Sequence, residues 1–367
     1  MTTNRDLLAQ FWADGTIKVR PGAIFATTPA PLGAACTWER PEGLLLGLAV
    51  GDALGNTSES WLPEERSAFY GEITDYLPNP RLGGRRLGLP SDDTQLAFWT
   101  LEQMLADGGF CPERVAARFC RGTIYGLGRT VSEFLYNFQE KRLPWYRCGP
   151  ESAGNGSLMR IAPLVLPYLR SPSPDLWVDT ALAAMITHND AGAIAACLAF
   201  VKIFWDLLTM TRAPEPAWWP RTYVAVARDL ERGQYRPRGG AYADFCGPIW
   251  QFVADKVEAA YAQGLSVREA GRRWGSGAYL LETVPTVLYI LMCYGHDPEA
   301  AIIRAVNDTL DNDTIAAVVG AAMGALHGRQ KLPARWLAGL SGRTSAADDG
   351  RVLALLAAAR QQWWQAS

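Results

Sequence analysis

Apolar residues recur at helical spacing along most of this chain, and that pattern constrains the fold more than any other feature. Leu44, Leu45, Leu48 and Ala49 share one helix face, and Leu96, Phe98, Trp99, Leu101 and Leu105 continue the theme. Further runs of the same period cover roughly 112–126, 157–169, 176–187, 190–210, 243–262, 279–294, 298–307, 313–327 and 349–365. Strand signals are sparse: 223–226 is about the only short β-prone run, and it also fits a helix. No GxGxxG follows a strand, and no P-loop is present. The expectation is an all-α protein, with one multi-helix domain over 41–367 and no internal repeat. Residues 1–40 read as an N-terminal extension, punctuated by Gly15, Pro21, Gly22, Pro29, Pro31 and Gly33, with Phe11, Trp12 and Phe25 as isolated anchors.

Composition excludes several function classes. Of 367 residues, 49% are hydrophobic and 20% charged, the balance of a folded soluble protein. A net charge of −2 gives no signature of general nucleic-acid binding. Arg81, Arg85 and Arg86 around Gly83 have the chemistry to meet a phosphate, but an exposed, solvated loop is the favoured reading. Seven cysteines are scattered without a CxxC pair, which suggests neither a disulfide framework nor a thiolate zinc site. Three histidines argue against a histidine-rich metal site. The start of the chain lacks the basic-then-apolar order of a signal peptide. The longest apolar stretch, 191–210, carries Lys202 and Asp206 at i,i+4, which suits a buried helix better than a membrane span. No membrane association is expected, and the cytoplasm is the expected compartment.

Two acidic tetrads carry the chemistry. Ser91-Asp92-Asp93-Thr94 precedes the apolar run from Leu96, and Asp311-Asn312-Asp313-Thr314 opens the run from Ile315. Each alone reads as a helix cap, with carboxylates complementing the helix dipole. Two helices that both open on clustered oxygen ligands also offer what hard divalent cations require. Glu59 follows Gly51-Asp52-Ala53-Leu54-Gly55 at the end of a core helix, and a loop glutamate is its ordinary reading. If Glu59 joins Asp92, Asp93, Asp311 and Asp313, five carboxylates converge, and divalent cations offset their repulsion. Gly154-Asn155-Gly156-Ser157 precedes another apolar run, where glycines let backbone N–H groups approach a phosphate. His188, in Thr187-His188-Asn189-Asp190, reads equally as a core-packed residue and as a substrate contact.

In this order, the pieces resemble the ADP-ribosylglycohydrolase family. The resemblance runs from about Glu42 to Gly328 and rests on GLLLGLAVGDALG with Glu59, SDDT, GNGSLMRIAPL, Thr187-His188 and NDTLDNDTIAAVVGAAMGALHG. It implies an all-α fold with two Mg²⁺ (or Mn²⁺) ions. Ser91, Asp92 and Asp93 would be ligands from one helix start, and Asp311, Asp313 and Thr314 from the other, with Asp313 bridging. Glu59 falls where the family places an acidic residue that coordinates metal or assists catalysis. Gly154, Asn155, Gly156 and Ser157 would cradle a diphosphate, and His188 would lie near the adenosine-side ribose. Ser91 stands where the family often has threonine and keeps the hydroxyl. Thr309-Leu310 stand where many members have a glycine pair, which bears on the far side of the scissile bond. The segment before residue 40 is outside the family's core pattern.

The resemblance implies hydrolysis at C1″ of an ADP-ribosyl group, with Glu59 or Asp93 as general base or acid, acting on an ADP-ribosylated protein or small-molecule conjugate. A rival reading is an immunity or inhibitory protein that blocks an ADP-ribosylating toxin through residues 1–40, with Phe11 and Trp12 as anchors. A catalytically silent structural relative is a second rival, against which the intact acidic set argues.

Overall fold

The computed structural model describes residues 2–79 and 83–365, so Arg81 lies outside the described residues. Helices follow one another along the chain: α1 (Asn4–Ala13), α2 (Glu39–Asn56), α3 (Pro63–Tyr70), α4 (Asp92–Asp107), α5 (Pro112–Phe119), α6 (Arg129–Gln139), α7 (Asp175–Met185) and α8 (Ala191–Thr209). They continue as α9 (Trp218–Leu230), α10 (Ile249–Ala262), α11 (Val267–Trp274), α12 (Leu280–Tyr294), α13 (Pro298–Asp308), α14 (Asn312–His327), α15 (Ala334–Gly339) and α16 (Arg351–Arg360). The strand content is a two-residue antiparallel hairpin, Pro78–Asn79 with Arg85–Arg86, among the described residues.

Glycine spacing sets the architecture. Gly43, Gly47, Gly51 and Gly55 recur every fourth residue, on one side of α2. That side lies against Gly324, Gly320, Ala316 and Asp313 of α14, in reverse order, so the two helices run antiparallel with backbones touching. A Cβ on Gly47 would sit 2.0 Å from the Gly320 carbonyl oxygen, and one on Gly324 would sit 1.8 Å from that of Gly43. No other residue fits there. Because the pair is antiparallel, the C-terminal end of α2 and the N-terminal end of α14 meet at one place. Around this pair, α13 and α8 flank α14, α4 lies beside α2, and α7, α9, α10 and α12 build outward from α8.

Local chemistry explains the helix starts. The side chains of Asp190 and Asp297 accept from Ala193 N–H and Ala300 N–H at the starts of α8 and α13. Ser266 and Glu269 form a reciprocal capping box on α11. α8 is long and apolar enough to cross a membrane, yet 83% of its most apolar window is buried inside the protein, and Lys202 pairs with Asp206 at 2.5 Å. The 223–226 run is helical, inside α9.

One difference from the sequence pattern has a physical cause. The run 157–169 forms 3-10 turns, Leu158–Arg160 and Ala162–Tyr168, because Pro163 and Pro167 cannot donate to an α-helical ladder. The N-terminal segment packs along the body. Leu8, Phe11, Ile17 and Val19 are buried, and Phe11 meets Trp145 and Tyr146. Trp12 stacks edge-on to Phe25 and donates to the Val19 carbonyl. From the body, the Trp177 and Trp205 indoles donate to Thr27 O and Ala30 O.

Candidate metal and active site

The N-terminal ends of α4 and α14 converge on the C-terminal end of α2. Asp52, the carboxylate in the buried part of α2, accepts from the Ser91 and Thr94 amides at 3.0 Å and from the Thr94 hydroxyl. One helix thus caps another. Ser91 Oγ accepts from Asp93 N–H at 3.3 Å, so the SDDT segment is a cap as well as part of the site. Asp311 holds the N-cap position of α14 without a capping bond from its side chain. Its Oδ2 instead accepts from Asn155 Nδ2 at 2.6 Å, and Asn155 also reaches Thr283 Oγ1. Asn312 turns the other way, donating to Gly55 O and Ser58 Oγ and tying the Glu59 loop to α14.

Glu59, Asp311 and Asp313 each bring a carboxylate oxygen within 4.8 Å of the others. Thr314 Oγ1 donates to Asp93 Oδ1 at 3.3 Å, while Asp93 Oδ2 is buried without a hydrogen-bond partner. Gly126, at φ +64°, brings its backbone so close to Asp92 that a Cβ would lie 3.2 Å from Oδ1. All five expected carboxylates line one cavity of about 670 Å³, within the usual range for small-molecule sites.

Burial, and then mutual repulsion, raises the pKa of every carboxyl in the group. For Asp92 and Asp93 desolvation dominates, with Asp52 next; for Asp313 it is desolvation and then Asp311. Glu59, exposed at the rim, is raised by desolvation and Asp52. Asp311 is pushed up to about 7 by desolvation, against the opposing hydrogen bond from Asn155. An oxygen-only donor set with an unpartnered buried Asp93 oxygen fits a hard divalent cation, whose charge would relieve the repulsion.

The same cavity is lined by the 154–156 turn and His188, the turn adjoining the carboxylates through Asn155. Gly154 and Asn155 amides are engaged with Ser152 Oγ and Ala278 O, whereas the Gly156 and Ser157 amides have no such bond among the described residues. Glycine is required at 156, where a Cβ would sit 2.8 Å from His188 Cε1. Ser157 itself is buried behind the turn, with Cys197 Sγ donating to its hydroxyl. Ser91 likewise stands behind Asp92 and Asp93 rather than on the cavity wall. The expected residues therefore separate into a wall (Glu59, Asp92, Asp93, Asp311, Asp313, Thr314, Gly154, Asn155, Gly156 and His188) and two supports.

Residue-by-residue reading missed Asp52, whose signal was a lone carboxylate inside the apolar GLAVGDALG run. It also missed Arg129, Arg238 and Tyr279, which line the cavity and carry no local motif.

Comparison with known proteins identifies the family. The family model described as ADP-ribosylglycohydrolase matches residues 36–366. A protein of Archaeoglobus fulgidus is 31% identical, covering 83% of this chain and 92% of its own length. The ADP-ribosylarginine hydrolase Tri1 of Pseudomonas putida is 25% identical, covering 82% and 73% respectively. A solved structure titled "ADP-ribosylglycohydrolase-related protein complex" superposes with a TM-score of 0.65 at 28% identity, covering 89% of this chain and 98% of that one. The fold, the order of the acidic segments and the near full-length match together make this chain a member of the ADP-ribosylglycohydrolase family, a family of hydrolases.

Proposed function

We propose that the chain hydrolyses the glycosidic bond at C1″ of an ADP-ribosyl group and releases ADP-ribose, reversing ADP-ribosylation. One observation carries the reading: a single cavity is lined both by the buried carboxylate cluster and by a glycine turn whose Gly156 amide is unspent, the two joined by Asn155 on Asp311. That pairing suits a ligand that carries ribose hydroxyls next to a diphosphate.

Asp92, Asp93, Asp311, Asp313 and Thr314 would hold two Mg²⁺ (or Mn²⁺) ions, with Glu59 completing the set and Ser91 supporting them as cap. When bound, the ions supply Lewis-acid polarisation and a clamp for hydroxyl and water oxygens. The remaining carboxylate charge faces the ribose, where it stabilises oxocarbenium-like character as the bond to the leaving group lengthens. Glu59, at the rim with a raised pKa, is placed to carry a proton to or from water at the cavity mouth, and Asp93 Oδ2 is the inner candidate for the same role. The Gly156 amide, on the cavity wall, takes the diphosphate, with Gly154, Asn155 and Ser157 shaping the turn, and His188 contacts the adenosine-side ribose.

The carrier of the ADP-ribose is a protein side chain or a small conjugate. The name of the Pseudomonas putida relative supports arginine as the first to test. The toxin-blocking reading finds no support in residues 1–40, since Phe11 and Trp12 are occupied within the chain. We place the protein in the cytoplasm, where its seven free thiols would stay reduced. The test is a panel of differently linked ADP-ribose conjugates, with Mg²⁺ and with chelator, scored for released ADP-ribose. Release from at least one conjugate, lost with chelator and in Asp313→Ala of unchanged circular dichroism, is expected. Undiminished release by Asp313→Ala in metal-replete buffer would overturn the assignment.

A further inference from the structure

Arg160 is fully buried beneath the glycine turn, and among the described residues no carboxylate pairs with it. Its Nη2 donates to Ala183 O at 2.9 Å and to Thr187 Oγ1 at 2.8 Å. Its Nε and Nη1 have no hydrogen-bond partner, and the guanidinium lies 5.0 Å from the centroid of the Phe119 ring. A buried cation so weakly compensated costs stability, and its consequence lies one residue further on.

Thr187 Oγ1 has a second neighbour, His188 Nδ1, at 2.9 Å. From Arg160, which carries donors alone, the hydroxyl oxygen accepts. Its own hydrogen then has one acceptor within reach among the described residues, and that is Nδ1. The opposite arrangement, Nδ1–H donating to Thr187, would strand a hydroxyl hydrogen at a site with no solvent exposure. The His188 proton therefore belongs on Nε2. That edge of the ring faces the glycine turn: a Cβ on Gly154 or Gly156 would sit 3.4 or 3.2 Å from Nε2. It borders the cavity and has no protein partner among the described residues. Burial and then the Arg160 charge push the His188 pKa down to about 3, which keeps the ring neutral.

We propose that Arg160 is a positioning residue: acting through Thr187, it fixes the His188 proton on Nε2, so that the cavity offers a neutral hydrogen-bond donor to an acceptor oxygen of a bound ADP-ribosyl group. The identity of that occupant rests on the proposed function; the placement of the proton does not. The arrangement makes His188 a contributor to affinity, with no part as a titrating acid or base.

Three histidines in the chain make the test direct. Long-range ¹H–¹⁵N spectra of ¹⁵N-histidine-labelled protein, with His188→Gln to identify the signal, read the tautomer of the ligand-free protein. The wild type is expected to show a neutral Nε2–H ring across about pH 5 to 8. Thr187→Val, which keeps the shape and cuts the relay, and Arg160→Met are each expected to give a tautomer mixture and to weaken ADP-ribose binding by about tenfold. In turnover the loss appears in KM, with kcat nearly unchanged, and Thr187→Ser restores both. An Nδ1–H or protonated His188 in the wild type overturns the proposal, as does a Thr187→Val spectrum identical to it; the latter variant decides the matter if Arg160→Met does not fold. An Nε2–H ring in a wild type that binds no ADP-ribose upholds the relay and overturns the occupant.

Discussion

Asp311 stands at the start of a helix but leaves its carboxylate free of capping, and Asn155 of the glycine turn donates to it instead. That hydrogen bond favours the charged form, the form a cation requires. Removing it in Asn155→Ala raises the Asp311 pKa above about 7, so a proton competes with the metal at higher pH. The expected result is an acidic limb of the pH–rate profile displaced upward by about one unit, with Mg²⁺ affinity at neutral pH reduced about tenfold and recovered in alkali. A profile superposing on the wild type would remove Asn155 from this role. Much of the site at this scale was legible, because clustered acidic residues at two helix starts stand out against an apolar background. Asp52 was not: its partners are amides of another helix, and nothing local in the sequence announces them. Nor could spacing divide wall from support, since Ser91 and Ser157 differ from their neighbours only in which way the backbone turns them.

The helices show the same division between local signal and remote cause. Long apolar-periodic runs became helices near their expected places, whereas α9, signalled only by the ambiguous 223–226 run, and the shorter α1, α3, α6, α11 and α15, all 6–11 residues long, were not anticipated. Runs of two or three turns offer too few repeats for a period to emerge. The contact that sets the site was written in plain view as glycine every fourth residue in α2, but its meaning depends on a partner about 270 residues away. Gly47→Ala drives a methyl into the Gly320 carbonyl and is expected to destabilise the protein by about 3 kcal/mol or to prevent folding. Gly109→Ala, where a Cβ meets nothing within 4 Å, serves as the control and is expected to be near neutral. Urea denaturation measures both, and a Gly47→Ala midpoint equal to that of Gly109→Ala would show that the two backbones do not touch.

Across the whole molecule, Asp179 under the N-terminal segment and the carboxylate cluster make stability fall as pH rises, whereas the buried neutral His188 acts in the opposite sense. Asn4 donates to Asp179, which also accepts from Tyr168, and burial pushes the Asp179 pKa up to about 7. A carboxyl raised above its unfolded value near 4 contributes most when protonated in both states, and that contribution is lost as pH rises through the folded pKa. Asp92, Asp93 and Asp313 shift the same way and add to the trend in metal-free protein. The carboxyl contribution in chelator is therefore expected to be lost between about pH 4 and pH 7, with Asp179 responsible for at most ~4 kcal/mol, offset in part by His188 over the same range. Mg²⁺ would act in the opposite sense, stabilising more at the alkaline end, because ionised site carboxylates bind it without first releasing protons. Asp179→Asn flattens the metal-free slope while leaving the metal increment intact, which separates the two sources. Denaturant midpoints at several pH values, each with and without Mg²⁺, measure all of this. A metal-free slope unchanged by Asp179→Asn would contradict the raised pKa of that carboxyl, and a metal increment independent of pH would contradict the convergence of the site carboxyls on a cation.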